Sequence, residues 1–89
     1  MIVIRTLEVR NKLGLHARAA AKLVSAAGRF RAKIAFEKDG NEVNAKSLLG
    51  ILTLACPRGS FLTVRAEGVD AAEAVDALAR LFEERFGEE

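Results

Sequence analysis

The chain has 89 residues, 51% of them apolar and 29% charged, which suits one soluble globular domain over 1–89 and is too short for two. One cysteine excludes an internal disulfide, and one histidine with no carboxylate beside it excludes the three- or four-ligand sites that zinc usually needs. Residues 1–46 hold ten Lys/Arg against four Asp/Glu and residues 47–89 hold four against eight, so the basic half favours an acidic protein partner; the absence of Tyr and Trp argues against nucleic acid.

In chain order, Ile2–Arg10 predicts a strand rich in β-branched residues, with Leu7 and Val9 on one face and Thr6, Glu8 and Arg10 on the other. Its start lacks the basic lead and long apolar core of a signal peptide. No run approaches the roughly 20 apolar residues that span a bilayer, so a cytoplasmic protein without membrane insertion is expected. Lys12–Leu15 reads as a loop in which Gly14 supplies backbone freedom. Ala17–Ala27 predicts a helix with Ala20, Leu23, Val24 and Ala27 toward the core, stopped by Gly28.

Phe30, Ala32, Ile34 and Phe36 then alternate with charged residues, the pattern of a second strand. Asp39-Gly40 offers a tight hairpin turn into a short strand around Glu42–Asn44. Lys46–Leu54 predicts a short helix, interrupted or tightened near Gly50. Cys56, in the apolar stretch Leu54-Ala55-Cys56, reads as a small buried hydrophobe that suits a reducing compartment. Pro57-Arg58-Gly59 marks a turn, and Phe61–Glu67 a fourth strand with Leu62, Val64 and Ala66 on one face. Asp70 and Glu73 have the spacing of a capping box before a last helix. Ala71, Ala74, Val75, Leu78, Leu81 and Phe82 lie on its core stripe, and Gly87 is its stop. The order β-α-β-β-α-β-α implies an α+β fold, one antiparallel sheet covered on one side by helices.

Two runs carry chemistry. In Asn11-Lys12-Leu13-Gly14-Leu15-His16-Ala17-Arg18, a glycine-bearing loop meets a helix at the histidine. A helix start offers unpaired N–H groups and a partial positive charge that favour an anion. Arg18 adds a planar fork of donors for phosphate oxygens. Imidazole, with an ordinary pKa of about 6.5, supplies abundant neutral nucleophile at pH 7. The plainer reading is a surface histidine or one that is merely hydrogen-bonded. In Asn44-Ala45-Lys46-Ser47-Leu48-Leu49-Gly50-Ile51-Leu52, Ser47 stands where a helix cap belongs. Leu48, Leu49, Ile51 and Leu52 cannot all face one core, so at least one or two of them should be exposed as a contact patch.

Gly14-Leu15-His16-Ala17-Arg18 together with Lys46-Ser47-Leu48-Leu49-Gly50 resembles HPr, the histidine-containing phosphocarrier family of the bacterial phosphoenolpyruvate-dependent phosphotransferase system. The resemblance runs over essentially the whole chain. It implies an open-faced β-sandwich of four antiparallel strands with three helices. It also implies that His16 accepts a phosphoryl group on Nδ1, that Arg18 assists transfer, and that Ser47 is the regulatory phosphorylation position of an HPr kinase/phosphorylase. Leu48 and Leu49 match the docking turn, and Ala20 and Ala21 lie on the helix bordering it. The implied partners are enzyme I and enzyme IIA domains. The protein would be a monomeric stoichiometric carrier rather than an independent enzyme, with no cofactor and no metal.

Where the family commonly has proline after the arginine, this chain has Ala19, which removes a fixed φ but no chemistry. Ala19 and the Asn11-Lys12-Leu13-Gly14 lead-in are similar to the nitrogen-related branch, NPr, so sugar transport and nitrogen regulation both stay open. A regulatory protein-binding module controlled through Ser47, and a small basic nucleic-acid or ligand-binding domain, are the readings from other classes.

Overall fold

The computed structural model describes residues 1–88. Strand β1 (Ile2–Glu8) leads through a loop to helix α1 (Ala17–Ala27), then to the hairpin β2 (Lys33–Lys38) and β3 (Asn41–Asn44). Helix α2 (Leu48–Thr53), strand β4 (Phe61–Glu67) and helix α3 (Ala71–Glu83) follow, and a short 3-10 turn covers Arg85–Gly87. The four strands form one antiparallel sheet in the order β1-β4-β2-β3, with helices on one face, as expected.

The period-two pattern decides which face is covered. Leu7 pairs with Leu62, Phe36 with Val64 and Ile34 with Ala66, and all six are buried under the helices. Leu23 of α1, Ile51 of α2 and Val75, Leu78 and Phe82 of α3 close the layer. Phe82 stands edge-on to Phe36 at 6.2 Å and to Phe86 at 5.1 Å, which carries the core out to the C-terminal turn. No helix among the described residues is long and apolar enough to cross a membrane.

Several boundaries differ from expectation, each for a local reason. Asp70 does not cap α3 with its side chain. Its carboxylate instead accepts the N–H groups of Arg31 and Ala32, at 2.8 and 2.9 Å, so strand β2 begins at Lys33 rather than at Phe30. Those two bonds, Arg31 first, hold the Asp70 carboxyl below the usual carboxylate range. Glu73 is exposed and completes no capping box. The α1 stripe also buries Ala19 and Ala26 and holds Val24 half-buried against the core; in α3, Leu81 packs half-buried against the core and Ala79 is buried as well. Helix α2 starts at Leu48 and passes unbroken through Gly50. A Cβ on Gly50 would stand 3.2 Å from Val43 Cβ, so this glycine permits close packing of α2 on β3 rather than an interruption.

Candidate functional site

Helix α1 begins where the chain turns sharply, and three contacts fix that turn. Gly14 adopts φ +71°, a left-handed conformation that costs most residues about 1–2 kcal/mol. A Cβ there would lie 2.5 Å from the carbonyl oxygen of Cys56. That same oxygen accepts the N–H of Leu15 at 2.9 Å, so the 56–57 segment braces the loop from below. Asn11, fully buried, donates from Nδ2 to the Gly14 carbonyl at 2.6 Å. Cys56 is buried, and desolvation pushes its thiol up, which removes it from reactive chemistry at neutral pH.

These contacts deliver His16 to the N-cap position of α1, in extended backbone geometry. Its Nδ1 accepts the backbone N–H of Arg18 at 3.2 Å, a long bond to one of the helix's otherwise unpaired donors. Its Nε2 stands 2.5 Å from Glu88 Oε2. An N–H aimed at Nδ1 and a carboxylate aimed at Nε2 are compatible with only one neutral tautomer, the proton on Nε2 and the lone pair on Nδ1. The ring is 28% exposed, enough for one edge to meet an incoming group.

Glu88 had no place in the expectations from sequence, although it completes the site. Beyond α3 the backbone runs through three successive left-handed residues, Arg85 (φ 56°), Phe86 (φ 55°) and Gly87 (φ 77°). For Arg85 and Phe86 that geometry costs about 1–2 kcal/mol each. Burial of Phe86 against Phe82 offsets it, as does a 2.6 Å bond from Lys22 Nζ to the Phe86 carbonyl. The turn folds the tail back onto the loop. Besides the histidine, the Glu88 carboxylate accepts Asn11 Nδ2 at 3.0 Å and the Leu13 N–H at 3.4 Å. The bond from His16 above all, then those from Asn11 and Leu13, hold the Glu88 carboxyl below the usual carboxylate range against the opposing effect of burial. Gly87 therefore serves this turn and does not stop α3, which ends at Glu83.

Arg18 is exposed, and its guanidinium makes no hydrogen bond or ion pair among the described residues. It lines a shallow recess with Lys12, Leu13, Lys22, Phe86 and Glu88, three cations around the edge of the histidine site. Ala21 is exposed on the same helix. Ala20 is fully buried on the core stripe with Ala19, Leu23 and Ala27, where the helical periodicity places it, so the partner contact that the resemblance implies for it is corrected: it has no surface to offer.

Ser47 caps α2, its Oγ accepting the Gly50 N–H at 3.0 Å. Ile51 points into the core, which leaves Leu48, Leu49 and Leu52 outward, Leu49 with 76% of its surface free. Helices α1 and α2 pack together, yet no hydrogen bond joins Ser47 to His16 or Arg18 among the described residues. No group of three His, Cys, Asp or Glu among the described residues is placed to hold a metal ion.

The family profile described as the PTS HPr component phosphorylation site matches residues 3–84. The phosphocarrier protein HPr of Xylella fastidiosa is 48% identical over 83 residues, 93% of each chain. A crystal structure of HPr from Thermoanaerobacter tengcongensis superposes with a TM-score of 0.94 at 47% identity over 98% of each chain. A second structure from that organism, described as an HPr dimer, gives a TM-score of 0.79 at 48% identity over 92% of this chain and 94% of that one. A dimer among such similar chains stands against assuming that a single copy is the rule.

Proposed function

This chain belongs to the HPr family of phosphotransferase-system phosphocarriers, and from that premise we propose that His16 carries the phosphoryl group on Nδ1. One observation carries the reading: at the N-cap of α1 the two ring nitrogens are differentiated, Nε2 against a carboxylate and Nδ1 against a single long N–H bond. The nucleophilic lone pair is therefore at the helix start, where backbone N–H groups favour an anion.

In the relay, enzyme I, charged by phosphoenolpyruvate, presents a phosphohistidine. The Nδ1 lone pair of His16 attacks phosphorus, the new N–P bond forms, and the donor nitrogen recovers the electron pair of the old one. An acceptor on an enzyme IIA domain reverses this, returning the pair to Nδ1. The protein contributes position and charge, which is most of what phosphoryl transfer asks of its surroundings. Arg18, exposed and unpaired among the described residues, is free to swing onto the phosphate oxygens. Leu48 and Leu49 form the docking turn together with Ala21. Ser47 is a regulatory phosphorylation position for an HPr kinase/phosphorylase.

The carrier acts stoichiometrically in the cytoplasm. The differentiated imidazole favours this reading over a module used only for regulation through Ser47. Incubation with enzyme I and labelled phosphoenolpyruvate tests it. Acid-labile label is expected on the parent protein and none on His16→Ala; equal labelling of that variant overturns the assignment.

A further inference from the structure

Phe86 is buried, Lys22 ties down its carbonyl, and two non-glycine residues are held in left-handed geometry, all to bring one carboxylate within 2.5 Å of His16 Nε2. Resting on the reading of His16 as acceptor, we propose that Glu88 is a positioning residue for phosphoryl transfer: it holds the Nε2 proton of His16 through both halves of the relay.

In the unmodified protein this fixes the tautomer whose lone pair lies on Nδ1. A carboxylate orients a catalytic histidine in the same manner in hydrolase triads. When Nδ1 attacks, no proton leaves the ring. The product carries phosphorus on Nδ1 and a proton on Nε2, an imidazolium whose positive charge sits against the Glu88 carboxylate. On discharge the N–P bond breaks, its electron pair returns to Nδ1, and the ring is again neutral with its proton still on Nε2. A ring that kept Nδ1–P but lost the Nε2 proton would have to leave as an imidazolate, a far poorer leaving group. Glu88 therefore keeps the phosphorylated protein competent as a donor.

The charges in the recess beside the site act on the ring proton in opposite directions. Lys12 from the loop and Arg18 and Lys22 from α1 line the adjoining recess with Glu88, and α2 contributes no ionisable side chain. All three cations disfavour a protonated phosphoimidazole, whereas Glu88 and the bound phosphoryl group favour it. Asn11 and the Leu13 N–H meanwhile hold the carboxylate in place.

The experiment follows the ring proton of the phosphorylated full-length chain. Phosphorus NMR of the phosphohistidine, titrated with pH, reads the midpoint at which Nε2 loses its proton. Glu88→Gln is expected to lower that midpoint by about one pH unit, a roughly tenfold loss of proton affinity. Onward transfer above that midpoint should slow by a comparable factor, through kcat rather than KM. Phe86→Ala, which frees the anchor and leaves the carboxylate in the chain, should shift the midpoint the same way by less. Equal midpoints in the parent and Glu88→Gln overturn the role of Glu88 while leaving His16 as the acceptor. Absence of a phosphohistidine signal from the parent protein overturns the underlying reading instead.

Discussion

Two helix starts in this molecule place a side chain in the cap position, and their surroundings make them different devices. At α1 the cap is His16, whose ring nitrogens have distinct partners, one of them Glu88, which shares a recess with Lys12, Arg18 and Lys22. At α2 the cap is Ser47, whose hydroxyl oxygen takes the Gly50 N–H while Leu48 and Leu49 face outward. The Lys46 ammonium beside it is spent on the Phe30 carbonyl at 2.8 Å. The same backbone geometry thus serves a charged, nucleophilic centre in one place and an apolar contact turn in the other. A helix start alone does not make a phosphate site; the side chains converging on it do.

That contrast can be broken from either end. Gly14→Ala should have the largest effect, since it puts a Cβ at φ +71° and 2.5 Å from the Cys56 carbonyl oxygen. A loss of about 2–3 kcal/mol in denaturant unfolding is expected, together with impaired phosphoryl acceptance because the same turn seats His16. Unchanged stability would mean the loop is not braced as described. Arg18→Ala leaves the fold intact and removes a charged donor from the phosphate. Transfer from enzyme I should slow by about 10- to 100-fold, with an unfolding midpoint close to that of the parent; parental stopped-flow rates would remove Arg18 from the site.

Ser47→Asp retains a favourable cap but adds charge beside the docking turn. Affinity for enzyme I should weaken by about 5- to 10-fold in titration calorimetry. Ser47→Ala, the control, should cost only about 1 kcal/mol of stability and leave that affinity unchanged. If both variants lost affinity equally, the loss would belong to the cap and not to the charge.

The sheet and the covered helix faces were readable because periodicity records burial directly: Leu62, Val64 and Ala66 alternate in sequence and are all buried in the fold. His16 and Ser47 were readable because cap residues stand next to helices in the sequence as well as in space. Asp70 was misread for the opposite reason. Its residue type suits a cap, but two N–H groups 38 and 39 residues away compete for the same carboxylate. The periodicity of α1 puts Ala20 in the core, where it lies; the partner role implied by the resemblance fails because a motif gives proximity along the chain and not the face of the helix. Glu88 was invisible, since its contact spans 72 residues and depends on three left-handed residues, two of them types that seldom adopt that geometry. The one available signal was Phe86, a large apolar residue beyond the expected core stripe that needed somewhere to pack.

The most direct measurement places the phosphoryl group on an atom. With nitrogen-15 in the imidazole of His16, phosphorylation by enzyme I and phosphoenolpyruvate should give a one-bond phosphorus coupling at Nδ1, with the proton retained on Nε2. Coupling at Nε2, or a phosphorylated protein whose imidazole shows no phosphorus coupling at all, would contradict it.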